Sequence, residues 1–106
     1  ISDKEVERAL DYLRNEAERD AQARADALYL EQWVKTERAR IVNEQTGVSN
    51  ASATAYAECH PDYLRALNAY KAAVTEDYRR RFLREAAAAK INAWQTMSAN
   101  ERAQRI

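Results

Sequence analysis

The chain has 106 residues, with 17 acidic and 17 basic side chains, one Gly, one Pro and one Cys. This length allows a single domain, the lone Cys59 excludes an internal disulfide, and one glycine excludes the backbone cradles for phosphate and the tight oxyanion turns of many enzymes. No run of 18 apolar residues is present, so no membrane span is expected, and the polar, acidic start is unlike a signal peptide, although a chain beginning at Ile1 is compatible with a removed leader.

The first element announces its start. Ser2 is placed to cap the amide of Glu5 while Glu5 reaches back, and Ile1 and Val6 occupy the two positions of a hydrophobic staple. Asp3 and Glu5 put negative charge at the positive end of the helix dipole. A helix is therefore predicted over 3–46. Its apolar stripe reads Val6, Leu10, Leu13, Ala17, Ala21, Ala25 and Leu28, then broadens through Tyr29, Leu30, Trp33, Val34, Ile41 and Val42 to more than half the circumference. Gly47 is suited to the left-handed position that ends a helix.

The only Gly and the only Pro lie between 47 and 61, which makes this stretch the break. Ser49, Asn50 and Ser52 are cap and turn formers, and they favour a short helix over 51–58. Pro61 suits a first helical position, with His60 before it as a cap residue and Cys59 as a small buried hydrophobe. From there a second long helix is predicted over 61–104. Its stripe reads Leu64, Leu67, Val74, Tyr78, Phe82, Ala86, Ala89, Ala93 and Met97, with Leu83, Ala87, Ile91 and Trp94 on another side.

Ala contributes 22 residues, and Ala17, Ala21 and Ala25 on one helix with Ala86 to Ala89 on the other permit close approach of the two backbones. Residues 1–47 carry 11 acidic and 8 basic groups, whereas 78–106 carry 2 and 7. An acidic beginning and a basic end suit an antiparallel pairing. The fold class expected is all-α: one helical-hairpin domain over 1–106, a long antiparallel hairpin that dimerises as a coiled coil into an elongated four-helix bundle. Tyr29, Trp33, Ile91 and Trp94 are the expected contact between chains, with a homodimer as the first partner and another protein as the second.

Catalytic, cofactor and metal constellations are absent from the sequence: there is no HExxH, GxSxG or EF-hand loop, and Cys59 with His60 falls short of a zinc ligand set. A non-enzymatic interaction module is the reading, with no cofactor. One cluster supports an alternative. Arg79, Arg80, Arg81, Arg84 and Lys90, interleaved with aromatic residues, form a candidate nucleic-acid-binding surface. Opposing it, consecutive arginines point in different directions around a helix, and Glu16, Glu18 and Asp20 are available to neutralise them across the hairpin.

The order Tyr29-Leu30-x-x-Trp33, His60-Pro61-Asp62-Tyr63, Tyr78-Arg79-Arg80-Arg81 and Ile91-Asn92-Ala93-Trp94-Gln95 resembles small helical proteins of temperate bacteriophages and prophages, over residues 29–100. The resemblance implies a cytoplasmic, non-catalytic accessory of phage DNA metabolism and carries over no site residues. A looser similarity, to secreted helical-hairpin virulence factors, lacks their Trp-x-Gly turn, since Trp33 lies in mid-helix and Gly47 stands alone.

Overall fold

The computed structural model describes residues 1–105 and holds four helices: α1 (Asp3–Asn15), α2 (Ala17–Glu44), α3 (Asn50–Glu58) and α4 (Pro61–Gln104). No strand occurs among the described residues. No helix among them is long and apolar enough to cross a membrane.

The helix ends follow from local chemistry. Ser2 is extended and its Oγ accepts from the Glu5 amide at 3.2 Å, so α1 begins at Asp3. Ser49 does the same for α3, accepting from the Ser52 amide at 3.1 Å. At α4 the cap is a ring nitrogen: the Asp62 amide donates to His60 Nδ1 at 3.0 Å, and Pro61 takes the first helical position, where a missing amide hydrogen costs nothing. Gly47 has φ +73°, the left-handed region expected of it, but the helix has already stopped at Glu44, where the Gln45 amide closes a tighter turn on the Val42 carbonyl.

The uninterrupted helix expected over 3–46 is corrected at Glu16, which lies between α1 and α2 with φ −99° and ψ 0°. The disturbance is one residue wide. The Glu16 amide still donates to the Tyr12 carbonyl, and the Asp20 amide to the Glu16 carbonyl.

The chain divides into two compact units. The first joins Ile1–Ala21 to α4 from Tyr78 onward. The second is Gln22–Asp77. Each pairs its helices antiparallel. In the first unit Asp3 meets Trp94 and Asp20 meets Arg84. In the second, Arg24 meets Asp77 and Arg40 meets Asp62.

The faces that pack differ from those expected. In the first unit Val6, Ala9 and Asp20 are buried, with Leu13 and Glu16 half-buried between them, a run spaced 3, 4, 3 and 4. On α4 its counterparts are Arg80, Arg84, Ala87, Ile91, Trp94 and Ser98, at the same alternation. Leu10, Ala17 and Ala21, placed in the stripe by sequence, are exposed. In the second unit the inward row is Ala23, Ala27, Leu30, Val34, Glu37 and Ile41 on α2 against Tyr63, Ala66, Tyr70, Ala73 and Asp77 on α4, while Ala53 and Ala57 of α3 are buried as well. Ala25, Leu28, Leu64 and Leu67 are outside it. Alanines do permit close packing, through Ala9, Ala23, Ala27, Ala66 and Ala87; of those expected, Ala87 is buried, whereas Ala17, Ala21, Ala25, Ala86, Ala88 and Ala89 are exposed.

Candidate interaction surfaces

In the first unit the arginines are dispersed, not clustered. Arg80 turns inward, its side chain 16% exposed, and Nη1 donates to Glu16 Oε2 and Asp20 Oδ1, both at 3.3 Å. Arg84 Nη1 approaches Asp20 Oδ1 at 3.4 Å. The carboxylate of Asp20, a residue only 7% exposed, is therefore shared by two guanidinium groups. The neutralisation expected from Glu16 and Asp20 is present, and Glu18 is an exposed residue. Arg81 reaches along its own helix to Glu85 at 3.2 Å, and Arg79 is exposed. Lys90 stands at the rim of a different feature, a groove of about 340 Å³ where Ala9, Ala86 and Ala87 leave room between Glu5, Arg8, Tyr12 and Leu83. Of the five cations proposed for nucleic acid, two are consumed by the packing of the unit.

Ile91 and Trp94, expected on the contact between chains, are half-buried on the inward row of α4, and Trp94 Nε1 donates to Asp3 Oδ1 at 2.8 Å. Tyr78 and Phe82 are exposed and stacked on one another, ring centroids 6.2 Å apart.

The second unit leaves several of its large apolar side chains outside. Tyr29 is 67% exposed and Trp33 41%, and Leu28, Leu64 and Leu67 are exposed with them. Trp33 shares one groove with Leu30, Glu37, Asp62, Arg65, Ala66 and Ala69, which places it on one flank of the α2/α4 pair. The sequence pattern places Leu64 and Leu67 in the apolar stripe of α4. The signal it lacked was the alternative row through Ala66, Tyr70, Ala73 and Asp77, which carries less apolar bulk at the same spacing.

Charge at the end of this unit is closed on itself. Arg40 binds Glu37 at 2.9 Å, Glu44 at 3.0 Å and Asp62 at 3.1 Å, and Asp62 is also held by Arg65. The hydrogen bond to Glu37, outweighing desolvation and aided by Glu44, raises the Arg40 pKa above its ordinary value, so this guanidinium keeps its positive charge. Arg38 joins α2 to α3 through Glu58 at 3.6 Å. Cys59, expected to be buried, is exposed, and His60 packs edge-on against Tyr56 while capping α4. Among the described residues no group of three or more His, Cys, Asp or Glu side chains is disposed to hold a metal ion. Comparison with known proteins finds no matching family model, no similar curated protein and no similar solved structure.

Proposed function

We infer that the protein is a non-catalytic helical interaction module that pairs with itself and presents further aromatic surface to another protein. The observation that carries this reading is the exposed apolar surface of the second unit. After α2, α3 and α4 have packed, Leu28, Tyr29, Trp33, Leu64 and Leu67 still face water. Scattered single hydrophobes are ordinary on a surface, but several large ones on two adjacent helices mark a site of association. Alanines in the inward row bring the backbones close, so the larger residues outside that row remain at the surface. The resemblance to small phage and prophage proteins adds a setting, that of an accessory to DNA metabolism in the cytoplasm.

Nucleic-acid binding through α4 has less support, because Arg80 and Arg84 are engaged with Glu16 and Asp20 and only Arg79, Arg81 and Lys90 are exposed among the cations proposed. Sedimentation velocity over a range of concentrations tests the main reading: a mass of twice the chain supports it, and a monomer throughout removes it. Anisotropy titration of labelled oligonucleotides at about 50 and about 200 mM salt tests the second, since phosphate contacts weaken steeply over that range.

A further inference from the structure

The second unit shows where a second copy fits. The groove that joins Trp33 to Arg65 and Ala69 marks one flank of the α2/α4 pair. At about 100° per residue, Leu28 and Glu31 of α2 and Leu64, Leu67, Lys71 and Val74 of α4 fall on the opposite flank. The four α4 residues are spaced 3, 4 and 3, a second seam beside the one already used. The ion pairs Arg24 to Asp77 and Arg40 to Asp62 set the level of one helix against the other. Residue 31 then stands level with 70 to 71, and residue 28 with 73 to 74.

Four charges stand on this flank, Glu31, Lys35 and Arg38 of α2 and Lys71 of α4, and of these Glu31 and Lys71 are of opposite sign at the same level. Lys71 is exposed and Glu31 half-buried, and neither side chain makes a hydrogen bond or ion pair with another described residue. We propose that this flank is the self-association surface, with a two-fold axis running along the helices so that α4 lies antiparallel on the second copy's α2. Lys71 then meets the partner's Glu31 and Val74 meets the partner's Leu28, each contact occurring twice. Leu67 lies along the aliphatic stem of the partner's Lys35. A two-fold axis crossing the helices at this level instead sets Lys71 on Lys71 and Glu31 on Glu31, which like-charge repulsion disfavours. This inference rests on the self-association reading and specifies its geometry.

Sedimentation equilibrium on the full chain and on E31K, K71E and E31K/K71E tests it, with circular dichroism confirming unchanged helicity. Each single reversal turns two attractions into two repulsions and is expected to weaken the dimer about tenfold or more. The double reversal restores complementarity and brings the dissociation constant back to within about threefold. W33A, on the opposite flank, leaves it unchanged. A dimer indifferent to both single reversals, or one that the double reversal does not rescue, overturns this seam while leaving self-association standing; a dimer lost in W33A moves the contact to the other flank. A parent chain that remains monomeric overturns both.

Discussion

The two units use the same helix-pairing rule with opposite chemistry. In the first, the inward row includes Glu16, Asp20, Arg80 and Arg84, and apolar residues pack beyond that charged layer. In the second, the inward row alternates Ala23, Ala27, Ala66 and Ala73 with Leu30, Val34, Ile41, Tyr63 and Tyr70, a third helix adds Ala53 and Ala57, and Leu28, Tyr29, Trp33, Leu64 and Leu67 lie outside. The contrast separates two tasks. A charged layer adds little net stability but tolerates only partners of matching charge at matching level, so it specifies register. A row of alanines and larger apolar residues discriminates register poorly, so it needs reinforcement, supplied here by α3 and by the Arg40 cluster.

The largest expected effect comes from the second unit. Ile41 is 0% exposed and is the one large side chain fully buried among the described residues. Ile41→Ala leaves a cavity that flanking alanines cannot fill, and it is expected to lower stability by about 3 kcal/mol in urea denaturation. Val6→Ala, the corresponding truncation in the first unit, removes less volume and is expected to cost about 1.5 kcal/mol. An equal loss in the two variants contradicts the assignment of the dominant core to the second unit.

The charged layer is tested next. Asp20→Ala removes the carboxylate that Arg80 and Arg84 share, and the expected loss is about 1 to 3 kcal/mol. Replacing Glu16, Asp20, Arg80 and Arg84 together by Leu is expected to keep or raise the thermal midpoint, because desolvation of the ions disappears with them. Uniqueness is what should suffer. Broadened NMR resonances or a mixture of associated species in that variant supports a register-setting role, and a single sharp spectrum removes it.

This layer also explains what could and could not be read in advance. Helical class was legible from the confinement of Gly47 and Pro61 to one short stretch, and the Ser2 cap from its place ahead of Asp3 and Glu5. The packing face was not. The row Val6, Leu10, Leu13, Ala17, Ala21 contains only apolar residues and looks better than the row that packs, Val6, Ala9, Leu13, Glu16, Asp20, until Arg80 and Arg84 are seen opposite the carboxylates. An ion pair across two helices has no signature in either helix alone. The same limit applied to α4, where Leu64 and Leu67 outweigh Ala66 and Ala73 in any count of hydrophobicity although the alanines face inward. The disturbance at Glu16 carried no Gly or Pro to announce it.

The caps offer a smaller contrast between the units. Ser2 and Ser49 make equivalent bonds, at 3.2 and 3.1 Å, but α1 has 13 residues and α3 only 9, joined to α2 by a loop. Ser49→Ala is expected to cost about 1 kcal/mol, and Ser2→Ala less than that, because fraying of a terminal turn releases little packed surface. Hydrogen exchange at the Ala53 amide, bonded to the Ser49 carbonyl at 2.9 Å, checks the first directly: faster exchange in Ser49→Ala is the expected outcome.

The smallest effect comes from two neighbours in sequence that differ in role. Arg80 and Arg81 are adjacent on α4, yet a rotation of about 100° sends one into the first unit and the other along the surface to Glu85. Both members of the Arg81 pair have side chains 59% exposed, so water and salt compete with it at every moment. Arg81→Ala is therefore expected to change stability by no more than about 0.5 kcal/mol, with the difference vanishing at high salt. Arg80→Ala strips Glu16 and Asp20 of a shared cation, with Arg84 still beside Asp20, and should exceed the Arg81 effect at every ionic strength. A pair of variants with equal, salt-sensitive losses would mean that Arg80 also sits in solvent, and the charged layer would then have no claim to set the register of the first unit.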